Sequence, residues 1–249
     1  MKHLVYTALL FGSSMAVLAE EGSAAEESPW KGKAELGVVN SNGNTNTSSS
    51  NGKLNLVYDA EVWKQEFRLE TYKAESEVEE NGVDVLKKTA DRTYFFSKTD
   101  YKFSSKSYAY ALLDYADENF TAYDYIGNFS IGFGRSFIKD KETEFGGEIG
   151  YGLRRYQEKF QFIAEEEEVA RLAGNYRQKI SSNANFQQEL VAEFGKDFDV
   201  YKSVTALTVN INSSMALSVG YEVQHTTEVE EGFEKTDSKT TVNLVYNFL

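Results

Sequence analysis

The chain closes on Thr241-Val242-Asn243-Leu244-Val245-Tyr246-Asn247-Phe248-Leu249. Successive side chains of an extended strand point to opposite faces, so Val242, Leu244, Tyr246 and Phe248 share one face. The other face, with Thr241, Asn243, Val245 and Asn247, is mostly polar. Such a strand suits the edge of a soluble sandwich. It also suits the closing strand of a membrane barrel, apolar toward lipid and polar toward an interior. The second reading demands partners of the same character, because an unpaired edge is not viable in lipid.

The partners are present. A period-two reading finds about twelve strand-like segments and no sustained helical period. The clearest places Tyr125, Gly127, Phe129, Ile131, Phe133 and Phe137 on one face, with Asn128, Ser130, Gly132, Gly134 and Ser136 on the other. The first, Trp30 to Asn40, sets Ala34, Leu36 and Val38 against Lys33, Glu35 and Gly37. It is the natural neighbour of the last strand if the sheet closes. The segment beginning at Glu165 reads as a strand or as a helical turn. Long connections are expected at 41–47, 75–84, 157–168 and 226–237, with short ones between them in the opposite register. Loops sorted by end in this way are a barrel property, short turns on the periplasmic side and longer loops outside. Aromatic residues near strand ends (Trp30, Tyr58, Trp63, Tyr101, Phe103, Tyr125, Phe137, Tyr201, Tyr221, Tyr246) fit two interfacial girdles.

Composition narrows the class. The net charge of -13 argues against nucleic acid and against basic anchoring to anionic lipid. With no cysteine there is no disulfide framework, thiolate metal site or Cys nucleophile. The one proline, Pro29, precedes the first strand and interrupts no ladder. Sixteen Tyr and 17 Phe combine with a mean hydropathy of -0.48, as expected of a barrel with a wet interior. At the N-terminus, Lys2 and His3 precede an apolar run from Leu4 to Phe11, and Val17-Leu18-Ala19 supplies a cleavage site. The expected organisation is a signal peptide over 1–19, a polar periplasmic leader over 20–29 and a barrel over 30–249.

The inward parity collects charge. Lys33, Glu35, Arg68, Glu70, Arg92, Asp114, Glu148, Arg154, Arg177 and Glu222 are the expected lumen-lining residues. They select solutes if the lumen is open, and they cross-pair if it is filled, since buried charge must be paired. The two signs look nearly balanced at this stage, which favours a filled or narrow lumen. The acidic runs Glu75, Glu77, Glu79, Glu80, Asp84; Glu165 to Glu168; and Glu228, Glu230, Glu231, Glu234, Asp237 read as solvated loops, without the spacing of a calcium loop. One histidine, His225, remains in the mature chain. A lipid hydrolase would need it, but no serine with a third orienting group stands out. No phosphate-binding, zinc or other cofactor motif occurs.

Gly37 to Thr47 (GVVNSNGNTNT), Arg92 with Asp100-Tyr101, Gly132-Phe133-Gly134, Thr236-Asp237 and the Tyr246-Asn247-Phe248 ending together resemble the salt-induced outer-membrane protein family, a bacterial family of undetermined function. The resemblance covers essentially the whole mature chain and implies a barrel in the cell outer membrane, with no catalytic residues to carry over. Leu249 departs from the usual terminal aromatic of such strands. The expectation is therefore an all-β chain, a single antiparallel transmembrane β-barrel of about twelve strands. Its partners would be outer-membrane lipid and, through the C-terminal strand, the outer-membrane assembly machinery. Its role would be structural, stress-related or that of a narrow solute or ion channel, and non-enzymatic. The alternatives are a soluble periplasmic β-sandwich or lipocalin-like binding protein, and, further off, an outer-membrane lipid hydrolase.

Overall fold

The computed structural model describes residues 28–41, 47–80 and 83–249; the expected signal peptide, most of the leader and the 42–46 connection lie outside these residues. Twelve strands form: β1 (Trp30–Ser41), β2 (Thr47–Asp59), β3 (Trp63–Glu80), β4 (Val83–Lys102), β5 (Ser107–Glu118), β6 (Tyr123–Lys139), β7 (Thr143–Glu158), β8 (Glu165–Lys179), β9 (Ala184–Phe194), β10 (Asp199–Asn210), β11 (Met215–Thr226) and β12 (Thr236–Asn247). Each pairs antiparallel with its sequence neighbours, and β1 pairs with β12 to close the barrel.

Parity decides which side chains leave the wall. Leu36 and Val38 on β1, Ile131 and Phe133 on β6, and Leu244 and Tyr246 on β12 are exposed on the outside. A one-residue slip of any strand would exchange this band for charge, so the pattern pins the register. Two aromatic belts bound the band. At the end carrying both termini, Trp30 meets Tyr58 at 5.0 Å between ring centroids, Trp63 meets Tyr101 at 5.1 Å and Phe137 meets Phe145 at 5.4 Å. At the opposite end Tyr115 stacks on Tyr125, and Phe194 meets Tyr201 edge-on.

Four of the five turns at the terminus end share one device; the fifth, between β2 and β3, closes by Ala60 N–H donating to Trp63 O at 2.9 Å. Ser104 Oγ accepts from Ser107 N–H (2.9 Å), Asp140 Oδ1 from Thr143 N–H (2.7 Å), Ser181 Oγ from Ala184 N–H (3.1 Å) and Asn212 Oδ1 from Met215 N–H (2.8 Å). A short polar side chain thus caps the backbone across a tight reversal. β12 ends at Asn247, but Phe248 N–H still donates to Gly32 O at 3.0 Å. The Phe248 ring and Leu249 both lie over Gly32, a position where a Cβ would collide with them.

Two expected loops are strand instead. β3 and β4 stay paired out to Glu80↔Val83, so 75–80 and 83–84 belong to one long strand pair with a register irregularity at Ala74/Glu75. Glu75 lies opposite Lys88, and Lys88 Nζ reaches Asp91 at 3.0 Å, while Glu77 is registered against Leu86 and Glu79 against Asp84. Likewise β7 runs to Glu158 and β8 starts at Glu165 as a strand, without a helical turn, leaving only 159–164 as connection. Glu167 and Glu166 are registered against Arg154 and Arg155, so the acidic run is paired charge and not a solvated loop. The fourth expected connection, 226–237, shortens to 227–235, and Asp237 belongs to β12.

Candidate pore lumen

Every lumen-lining candidate with a described side chain points inward, yet they do not form one ring. Lys33 and Glu35 pair at 3.4 Å on β1. Arg68 binds Glu66 at 2.9 Å, and Lys53 binds Glu70 at 3.1 Å. Asp114 accepts from Asn128 Nδ2 at 3.0 Å. Arg177 sits apart near the terminus end, half exposed, with Glu144 at 3.2 Å. Three cations converge on Glu222: Arg92 at 2.9 Å, Lys202 at 3.3 Å and Lys239 at 3.6 Å.

The main cavity, about 610 Å³, extends from Lys31 and Leu249 at the terminus end up to Arg92 and Lys239. Its walls carry Lys31, Lys33, Lys53, Lys64, Arg68, Arg92, Lys98, Arg171, Arg177, Lys202 and Lys239. Against these stand Glu35, Glu66, Glu70, Glu144, Glu148, Glu189 and Glu222. The cations outnumber the carboxylates here, whereas Asp114, Glu118, Glu193, Glu234 and Asp237 line the second, smaller cavity, so the near-even balance read from the sequence divides into a basic part and an acidic part. An acidic protein thus encloses a net basic cavity. Low-dielectric walls focus such a field on whatever enters.

One side of the cavity is filled by aromatic residues that sequence reading passed over. Tyr108 and Tyr110 of β5 turn inward, and Tyr108 Oη donates to Glu148 at 2.7 Å. Lys98 Nζ lies 4.9 and 5.1 Å from the two ring centroids. Lys98 also pairs with Glu148, which Arg171 reaches at 3.1 Å. The rings fit because the facing positions are Gly132, Gly134 and Gly150; a Cβ at Gly134 would fall on the Tyr108 ring. That stripe of inward glycines was the available signal. Phe96, Tyr110 and Leu112 complete a small apolar cluster there.

Beyond the basic residues a second cavity of about 110 Å³ leads to an apolar roof. Tyr123, Tyr156, Phe198 and Val200 are buried together, with Val229 and Phe233 of the 227–235 connection packed against them. Phe198 stacks on Tyr123 at 4.9 Å and meets Tyr156 edge-on at 4.9 Å. Tyr123 Oη donates to Glu228 O at 2.9 Å, and Thr227 N–H to Asp199 O at 3.0 Å, which ties the connection down. Arg154 anchors the roof from below. Fully buried, it donates to Glu167 (2.9 Å), Glu193 (3.0 Å) and Phe198 O (2.8 Å), under the Phe198 ring. Glu167 was invisible to sequence reading because its run looked like a loop.

His225 is at the rim, with Nδ1 2.7 Å from Thr236 Oγ1 and its ring stacked on Tyr201. These contacts are those of an interfacial residue. Among the described residues no group of His, Asp and Glu is placed to hold a metal ion.

The barrel is similar to solved porin structures. The NanC porin superposes with a TM-score of 0.54 at 11% identity, covering 88% of this chain and 100% of that one. The translocator domain of the autotransporter NalP from Neisseria meningitidis (TM-score 0.46, 12% identity, 88% and 87% covered) and the KdgM porin (0.46, 10%, 88% and 99%) also match. No curated protein matches the sequence. The twelve-stranded closed barrel with its outward apolar band is a porin-type transmembrane fold. Residues 34–248 match the family described as "Protein of unknown function, DUF481", and the chain belongs to that family.

Proposed function

We propose that the protein is an integral outer-membrane barrel whose lumen forms a narrow, anion-preferring pore, shut at its outer end by the apolar roof in this conformation. The excess of Lys and Arg over Glu around the main cavity carries this reading, because fixed cations concentrate anions and repel cations. In this reading the tight turns and both termini face the periplasm, and the β3–β4 hairpin stands outside the cell. Residues 1–19 direct export and are cleaved, which N-terminal sequencing of the mature protein tests. The assembly machinery reads β12, and the protein performs no catalysis. The likeness to salt-induced outer-membrane proteins supports expression that rises with osmolarity, measurable as protein level across a salt series.

The deciding experiment is single-channel recording in planar bilayers under a potassium chloride gradient. Wild type is expected to conduct rarely with chloride preference. The double variant F198A/F233A, which removes two sides of the roof, is expected to conduct more often with the same preference. Cation preference, or no conductance from either protein, would falsify the pore.

A further inference from the structure

The β1–β12 seam closes along half its length. Paired residues run from Lys33↔Asn247 to Leu36↔Leu244 and stop there among the described residues. β1 nevertheless continues to Ser41 on its other side, paired with β2, and β12 continues to Thr236 on its other side, paired with β11. The edge of β1 beyond Gly37 and the edge of β12 before Val242 therefore face each other without a ladder among the described residues. Val38 lies about 20 Å above Trp30 at the rise of a tilted strand, a height still within the hydrocarbon layer. Open backbone at that depth is tolerated where it lines a cavity.

Side chains tie the fork together. Asn51 Nδ2 donates to Asn243 Oδ1 at 2.8 Å, and Asn243 Nδ2 donates to Glu35 Oε2 at 3.0 Å. Both asparagines and the Val242 backbone O occupy the space a Cβ at Gly37 would need, so β1 and β12 still touch at Gly37 and this side-chain chain sits where the ladder ends. Just inside the open half, Arg92, Lys202 and Lys239 crowd one carboxylate, that of Glu222. Lys239 belongs to the open edge itself and lies over the Tyr72 ring at 5.3 Å. Outside, Leu36 and Val38 present apolar surface beside the gap.

We propose that this half-open seam is a lateral doorway that binds an anionic single-chain amphiphile. The carboxylate or phosphate head would sit in the lumen on Arg92, Lys202 and Lys239, and the tail would leave between β1 and β12 into the bilayer. The roof makes sense of the arrangement, since a molecule in the cavity meets lipid sideways before it meets an exit above. The inference rests on the basic lumen of the pore reading and adds the ligand class and its route.

The chain has no cysteine, so a cross-link reports cleanly. Extending the register of the paired half sets Val39 opposite Thr241. The full mature protein carrying V39C/T241C is placed in liposomes and titrated with a pyrene-labelled fatty acid, a pyrene-labelled lysophosphatidate and a zwitterionic lysophosphatidylcholine. The reduced protein is expected to bind the fatty acid, the lysophosphatidate or both, and not the zwitterion. The oxidised protein is expected to lose that binding and regain it with dithiothreitol. Single-cysteine V39C capped with a bulky maleimide is expected to lose it too, without requiring the strands to meet. Equal binding in blocked and open forms, or no preference for anionic heads, overturns the doorway. Chloride preference of unmodified protein is read separately, so an anion-selective protein that binds no amphiphile overturns this inference and leaves the pore standing.

Discussion

Arg154 shows how much a single side chain carries in this lumen. It is wholly buried and shared between Glu167 and Glu193, whereas its neighbour Arg155 pairs with Glu166 on the surface at the same 2.9 Å. Equal distances do not mean equal consequences. Replacing Arg154 with Met leaves Glu167 with only the Asp197 N–H and Glu193 with only Arg171 at 3.9 Å, and breaking such a buried pair costs about 3–5 kcal/mol. The expected outcome for R154M is a clearly lower urea midpoint in detergent micelles, read from the loss of the heat-modifiable folded band on gels. For R155A the midpoint is expected to stay at the wild-type value, because solvent screens the pair it loses. Sequence reading placed Arg154 inward by parity but could not supply its partners. Glu167 belongs to a run of four glutamates, and only the strand register reveals that cations stand opposite.

At the scale of elements, legibility followed the solvent. Lipid outside and polar groups inside impose period two, so β6, β11 and β12 could be read residue by residue. Strand ends could not. The acidic stretches at 75–84 and 165–168 look like hydrated loops because what pairs them, Lys88 opposite Glu75 and Arg154 and Arg155 opposite Glu167 and Glu166, lies on the neighbouring strand. The roof was hidden for a related reason. Tyr123, Tyr156, Phe198 and Phe233 come from separate segments, and an aromatic residue near a strand end reads as girdle. The β3–β4 hairpin invites a direct test. β4 pairs with β5 only from Arg92 onward and β3 with β2 only as far as Ser76, so among the described residues the hairpin from Glu77 outward has no second neighbour. Replacing 77–86 by a two-residue turn is expected to leave heat modifiability of the folded barrel unchanged. A barrel that no longer folds would show that the hairpin nucleates assembly.

Over the whole molecule, a net charge of -13 surrounds a cavity whose charged lining is mostly cationic. Ionic strength separates these two fields. The screening length is about 10 Å at 0.1 M salt and about 3 Å at 1 M, so the lumen governs selectivity only in dilute solution. Chloride preference, measured as reversal potential under a fixed concentration ratio, is expected to be greatest in dilute electrolyte and to fade near 1 M. The triple variant R92Q/K202Q/K239Q leaves Glu222 without its three cations and is expected to shift the reversal potential toward potassium. An unchanged potential would place the selecting charges elsewhere in the lumen.

The hairpin that outruns its neighbours has one more consequence. From Arg92 to Val83 the strand climbs about 25 Å past the level where β5 ends, allowing for tilt. With the barrel inserted as proposed, that ribbon is the part of the protein a bacteriophage or an antibody meets first. In that placement its sequence meets selection by whatever contacts the cell surface, which the wall and the lumen escape.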